Sequence, residues 1–157
     1  MELHRQASPK SNLNGAVIFF PFLSALGEIW CHGLTIKPGK PTLLAECSGV
    51  PLIGLPGNQL SALVVFGLVG VRLVWQLAGC ATPPPEPCTR ARLSRQLASA
   101  AGRLDVVQVT VRDGVAEPLF GPSALLSVLT RADGYVMVPE PETGLDGGAD
   151  VEVTLYR

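Results

Sequence analysis

The spacing of apolar residues changes once along the chain. Short apolar runs separated by glycine and proline turns predict strands at residues 28–36, 42–47 and 51–55. From Leu60 to Leu77 the apolar positions instead recur every three or four residues, a period typical of a helix. The first half of the chain is therefore predicted to hold strands followed by one apolar helix.

Beyond residue 87 the pattern is that of short strands. Residues 105–112 alternate between apolar and polar, which places Val107, Val109 and Val111 on one face, and Asp113-Gly114 is a hairpin turn signal. A serine cap opens a short predicted helix at 123–132. Further strands are predicted at 90–97, 115–119, 134–138 and 151–156. Five or more short strands in about 70 residues predict a small β-barrel or sandwich.

A proline-rich stretch divides these two patterns. Residues 81–87 contain four prolines, a composition typical of a stiff linker. We therefore expect an α/β part at 28–80, a linker at 81–87 and a barrel domain at 88–157. Residues 1–27 form an N-terminal segment that is hard to assign: residues 1–15 are a polar loop or tail, residues 16–20 a possible strand, and residues 21–26 a short helical turn that ends at Gly27.

Composition narrows the function classes. The 157 residues include 12 basic and 13 acidic side chains, and this balance argues against a nucleic-acid partner. Because 47% of the residues are hydrophobic and only 16% are charged, the chain is not disordered, and part of its apolar surface is expected to face a partner. The apolar helix meets Arg72 after about a dozen residues, which favours a buried or interface helix over a transmembrane span.

The cysteines and the N-terminus indicate a cytoplasmic protein. Four cysteines show neither C-x-x-C pairs nor histidine partners at zinc-ligand spacing. The polar N-terminus lacks the apolar core of a signal peptide. We expect reduced cysteines buried as small apolar residues.

Two loops carry the candidate chemistry. Lys37 and Lys40, two of only three lysines, flank a Pro-Gly turn, and a Gly-Leu-Pro-Gly-Asn run at 54–58 precedes the helix. The predicted hairpin between these loops brings both to one end of a sheet. Amides at a helix N-terminus together with two ammonium groups favour an oxyanion such as phosphate. The alternative is that the loops are ordinary turns and that Asn58 and Ser61 only cap the helix.

These residues resemble a known family. The run from His32 to Thr42, the Gly-Leu-Pro-Gly-Asn loop and Ser61-Ala62 are similar to the molybdopterin molybdotransferases of the MoeA/gephyrin type. Gly102-Arg103, Pro122-Ser123 and Ala132-Asp133-Gly134 continue the likeness, which covers roughly residues 27–157.

The resemblance implies a fold and a reaction. The fold is an α/β remnant of a molybdopterin-binding domain followed by a small all-β barrel. The reaction is insertion of molybdate into adenylylated molybdopterin, with release of AMP and with Mg²⁺ as the family's cation. The residues implied to hold molybdate or phosphate are Lys37, Lys40, Pro41, Pro56, Gly57, Asn58 and Ser61, with Arg103 and Ser123 at the rim.

Departures from the family leave two hypotheses open. Gln59 stands where the family has proline, and Gln108 where it has a second arginine. The family's upstream glycine-rich segment and its acidic metal ligands have no counterpart, so neither a metal ligand nor a catalytic residue is assigned. The chain is either molybdotransferase-like or a truncated, non-catalytic binding or interaction module. In both cases a homo-oligomer, such as the family's dimer, or a complementing chain is expected.

Overall fold

The computed structural model describes residue 23 and residues 25–82, 84–120 and 125–156. The predictions for residues 1–22 and the predicted serine cap at Ser123 lie outside these residues. The strands are β1 (Gly27–His32), β2 (Ile36–Lys37), β3 (Leu43–Cys47), β4 (Val50–Gly54), β5 (Cys88–Leu93), β6 (Leu97–Ala98), β7 (Leu104–Arg112), β8 (Val115–Pro118), β9 (Gly134–Val138), β10 (Gly144–Leu145) and β11 (Asp150–Leu155). The helices are α1 (Gln59–Leu77) and α2 (Leu125–Arg131).

The N-terminal strands form a small antiparallel sheet in the order β1-β3-β4. Ser48 and Gly49 turn the β3–β4 hairpin with φ of 54° and 79°, so the predicted hairpin is confirmed. The single strand predicted at 28–36 is wrong. It breaks after His32, where Gly33 adopts a φ of 104°, a conformation open mainly to glycine. The remainder becomes β2, which belongs to a different sheet.

The predicted apolar helix is confirmed as α1. It contains a π-helical segment at Phe66–Gly70, and Gly79 follows its end with a φ of 79°. Among the described residues, α1 is the one helix long and apolar enough to cross a membrane, a test that core helices of other proteins also pass. One side of α1 is buried through Val64 and Val65. Four large apolar side chains on it stay exposed: Leu63, Phe66, Val74 and Leu77.

The C-terminal strands close into the predicted barrel. β7 pairs with both β8 and β9, and the circle continues through β5 and β11. The β5–β8 pair is parallel, whereas the other four pairs are antiparallel. The barrel core consists of Ala91, Leu93, Leu97, Val109, Ala116, Val136, Val138, Val151 and Val153.

A second apolar cluster joins the N-terminal part to the barrel. Ile36 of β2 and Val64 of α1 pack with Val106 and Tyr135 of the barrel wall. In addition, β2 pairs in parallel with the start of β7, so the barrel sheet includes one strand from before residue 81. The division into domains at 81–87 stays a prediction.

Two tyrosines form a polar network on this barrel wall. The Tyr135 hydroxyl donates to Glu86 Oε2 at 3.1 Å, and the Tyr156 hydroxyl donates to Gln108 Oε1 at 2.5 Å. The ring centroids lie 5.7 Å apart. Burial, followed by the negative charge of Glu86, raises the pKa of Tyr135 to about 12, and burial also raises the pKa of Tyr156. Both hydroxyls are therefore held protonated.

We expect the two tyrosines, which are the chain's full complement, to resist ionisation at alkaline pH. Because the pKa of Tyr135 is raised from 10.0 to about 12, its contribution to stability is fully present below pH 10.0 and is lost as the pH rises towards 12. Tyrosinate absorbance followed from neutral pH upwards should rise late and together with unfolding. Tyr156→Phe should leave a single late titration, and an ionisation of either tyrosine at its ordinary pKa in the folded chain would contradict the network.

Barrel closure depends on a glycine. A Cβ on Gly134 would overlap the carbonyl oxygen of Thr154 on the neighbouring strand β11. Gly134→Ala should therefore lower the free energy of unfolding by about 1–3 kcal/mol, as overpacking does. Gly67→Ala is the matched control, because a Cβ there meets no atom within 4 Å and alanine suits a helix. Equal denaturation midpoints for the two variants would show that the β9–β11 pair tolerates the side chain.

Candidate functional site

The two candidate loops leave the N-terminal sheet at the same end. In the β3–β4 pair, Leu43 lies opposite Gly54, so the first residue of β3 is adjacent to the last residue of β4. The loop at 38–42 leads into β3, and the loop at 55–58 follows β4. The hairpin register therefore brings together the segments that carry the lysines and the start of α1.

Residues 37–42, which carry both lysines and are called the lysine loop below, are held by backbone and side-chain hydrogen bonds. The buried Thr42 donates its hydroxyl to the carbonyl oxygen of Gly39 at 2.6 Å. The Lys40 carbonyl oxygen accepts from the amides of Leu34 and Thr42, both at 2.9 Å. Gly39, with a φ of 134°, lies so close to α1 that a Cβ would come within 2.7 Å of Val65 Cγ2. The backbone of Lys40 is thus fixed while its side chain stays exposed.

The second loop presents the start of α1. Asn58 caps the helix, because its Oδ1 accepts from the amide of Ser61 at 3.2 Å and from its hydroxyl at 3.3 Å. These are the hydrogen bonds expected under the alternative that Asn58 and Ser61 cap the helix. Pro56 is buried, whereas Gly57 is exposed and a Cβ there would meet nothing within 4 Å. The backbone at Gly57 is therefore open to close approach by a ligand.

A buried aspartate joins the lysine loop to the barrel. Asp105 at the start of β7 is 3% exposed. Its Oδ1 accepts from Arg103 Nε at 2.6 Å, and its Oδ2 accepts from Arg103 Nη2 at 3.1 Å. Lys37 Nζ lies 4.0 Å from the same Oδ2. The structure thus brings Lys37 and Arg103 together on one carboxylate.

The predicted site residues therefore fall into groups. Lys37 and Arg103 meet at Asp105, and Asn58 and Ser61 meet in the helix cap. The other predicted members lie on the two loops: Lys40, Pro41, Pro56 and Gly57. Ser123 lies outside the described residues.

Asp105 is the residue of the Lys37–Asp105–Arg103 cluster that the sequence analysis did not assign to the site. A signal was present, because Arg103 and Asp105 are two positions apart, and side chains at that spacing share a face of an extended chain. The pairing of β2 with β7, which adds Lys37, has no local signal.

The described donor set does not fit Mg²⁺. Within the ranges that the structure describes, no group of three or more histidine, cysteine or acidic side chains could hold a metal ion. Magnesium prefers oxygen ligands, whereas this site presents cations around one carboxylate that is already paired. These residues suit an anion.

Comparison with known proteins gives a consistent family. Residues 90–156 match the MoeA C-terminal region (domain IV). A protein of Methanocaldococcus jannaschii named for molybdopterin biosynthesis is 32% identical over 84% of this chain and 31% of its own length. The molybdopterin molybdenumtransferase of Haemophilus influenzae is 26% identical over 86% of this chain and 35% of its own length.

Solved structures agree with these relatives. A MoeA protein of molybdopterin biosynthesis from Pyrococcus horikosii superposes with a TM-score of 0.78 at 34% identity, covering 91% of this chain and 36% of that one. A molybdenum cofactor biosynthesis protein from Pyrococcus furiosus gives a TM-score of 0.72 at 31% identity, covering 83% of this chain and 46% of that one. The chain spans about a third of the length of the curated relatives that it matches. Through its barrel it belongs to the MoeA family of molybdenum cofactor biosynthesis, of which it covers only the C-terminal part.

Proposed function

We propose that this chain supplies an oxyanion-binding site for molybdate or phosphate in molybdenum cofactor biosynthesis. The observation that carries the proposal is the convergence of the lysine loop and the α1 N-terminus at one end of the β3–β4 hairpin. Lys37, at the start of that loop, also lies within 4.0 Å of Asp105, which Arg103 binds. The site residues are those assigned from the resemblance: Lys37, Lys40, Pro41, Pro56, Gly57, Asn58, Ser61 and, at the rim, Arg103 and Ser123.

The charges at this site favour a doubly charged tetrahedral anion. Lys37, Lys40 and Arg103 bring three positive charges, and Asp105 offsets one of them. The side chain of Lys37 is 63% exposed, so a dissolved anion can reach it. The dipole of α1 adds a partial positive charge at Asn58. Exposure also means that salt screens the attraction, so we expect modest affinity that falls as ionic strength rises.

The complete reaction that we propose is the family's: insertion of molybdate into adenylylated molybdopterin with release of AMP, in the cytoplasm. The three-stranded sheet and α1 would then be the remnant of an α/β molybdopterin-binding domain. The nucleotide contacts and the Mg²⁺ ligands would come from a further part of the protein or from a complementing chain.

The exposed face of α1 supports a second candidate function, that of a non-catalytic interaction module. Phe66 is 45% exposed, Val74 54% and Leu77 68%. Large apolar side chains lined up along one helix are typical of a surface that another protein covers. Under this hypothesis the chain still binds the anion, and its role is to present the barrel and the bound ligand to a partner.

The oxyanion proposal predicts the effect of removing the two loop lysines. Lys37→Ala together with Lys40→Ala should abolish molybdate binding in calorimetric titration of the full chain, because the side chains supply charge at exposed positions and little packing. Arg90→Ala with Arg92→Ala is the matched control, since it removes the same two charges from exposed positions on β5. Equal binding by the wild-type chain and the lysine variant would falsify the assignment.

The exposed apolar face predicts self-association or association with a complementing chain. Sedimentation velocity at micromolar concentration should show a dimer or larger species, and Val74→Glu with Leu77→Glu should shift it to monomer. Val115→Glu is the control, because Val115 is 41% exposed on β8, a strand that contributes no residue to the cluster packed against α1. A wild-type chain that sediments as a monomer and binds no hydrophobic dye would remove the basis for this prediction.

A further inference from the structure

The carboxylate of Asp105 is buried, which requires an explanation. A charged group that is 3% exposed is strongly destabilising unless it is paired and hydrogen-bonded. The pairing here is two-sided. Arg103 closes on both carboxylate oxygens at 2.6 and 3.1 Å, and Lys37 approaches the second oxygen at 4.0 Å.

Backbone pairing sets this arrangement. β2 and β7 are parallel, with Lys37 opposite Asp105 and Ile36 opposite Leu104. The amide of Leu104 also donates to the carbonyl oxygen of Thr35 at 2.9 Å. Because side chains of directly opposed residues project to the same face of a sheet, Lys37 and Asp105 are neighbours by register.

The two cations keep binding capacity after pairing with Asp105. A guanidinium has five N–H donors, and the two bonds to Asp105 use two of those of Arg103. Lys37 Nζ lies 4.0 Å from the carboxylate, beyond hydrogen-bond distance, so its donors can turn to a ligand. Two positive charges around one negative charge leave this cluster net positive.

We propose that Asp105 is a positioning residue of the oxyanion site. It fixes the guanidinium of Arg103, which lies on the barrel side, and restrains the ammonium of Lys37, which lies on the lysine loop. Both cations then face the same anion. This inference rests on the proposed function, and it adds that the barrel holds the site in shape. If Asp105 served only the stability of the fold, its ion pair would matter for folding, but its substitution would not change the affinity for the anion.

The sign of the effect of Asp105→Asn on molybdate affinity separates these roles. If Asp105 only repels the anion by its charge, its removal should strengthen binding, because a nearby negative charge has gone. If Asp105 positions the cations, binding should weaken by about tenfold, as when a partner that orients ligands is lost. We expect the second result in calorimetric titration of the full chain.

Asp113→Asn is the matched control. It removes the same charge from the exposed β7–β8 turn, where Asp113 has a φ of 49° that asparagine accepts. Its molybdate affinity should equal that of the wild-type chain.

A second variant covers the case in which Asp105→Asn does not fold. Arg103→Lys keeps the charge but loses the two-point bond, so it should weaken molybdate binding while the charge is unchanged. If Arg103→Lys binds molybdate as tightly as the wild-type chain, the positioning role of Asp105 is wrong. The same conclusion follows if a folded Asp105→Asn binds molybdate equally well or more tightly. Either result leaves the proposed oxyanion site itself standing. A wild-type chain that binds no molybdate, or that binds it equally after loss of both lysines, overturns the proposed function and this inference with it.

Discussion

The long strand β7 is the constraint on which the rest of the structure depends. Along one edge it pairs with β9 from Asp105 to Val109. Its other edge is shared, with β2 at Leu104 and Asp105 and with β8 from Val109 to Arg112. A strand of the usual five or six residues is too short to pair with both β2 and β8 along one edge, whereas β7 has nine residues. One strand therefore closes the barrel and also attaches the segment that carries the lysines.

The helix α1 is constrained on one side only. Val64 and Val65 are at most 5% exposed, and Val64 packs with Ile36 and Val106 on the outer wall of the barrel. Close contact of Gly39 with Val65 then places the lysine loop against the second turn of the helix. The opposite side of α1 carries large apolar groups in contact with solvent. The helix therefore has one side packed against the barrel and the lysine loop and an opposite apolar side open to solvent.

Elements with local signals were predictable from the sequence, and those that depend on distant pairing were not. Alternation across 105–112 and the Asp113-Gly114 turn predict the β7–β8 hairpin because both signals lie within the hairpin itself. The convergence of the two site loops was predictable for the same reason, since the β3–β4 hairpin is local. In contrast, the break at Gly33 and the transfer of β2 to the barrel follow from a partner strand far away in the sequence.

The same distinction explains which site residues were missed. Lysines near a Pro-Gly turn are visible as a motif, but the partner of Lys37 is known only once β2 lies beside β7. The link between Tyr156 and Gln108 likewise joins the last strand region to the middle of β7. Charged and polar groups of this kind gain their roles from tertiary pairing, so their types and spacing alone carry little information about them.

The proposed anion site lies between the N-terminal part and the barrel, and this position has a physical consequence. Lys40 and the α1 N-terminus belong to the hairpin and its loops, whereas Arg103 and Asp105 belong to the barrel, and Lys37 lies on the strand that joins the two. A small relative movement of the two parts would change the separation of these cations, and the attraction between unit charges depends inversely on that separation. The buried Asp105 and the packing of Ile36, Val64 and Val106 oppose such movement. If these residues bind an anion as proposed, the barrel, although it carries few of the predicted ligands, controls the geometry in which Lys37 and Lys40 would meet it.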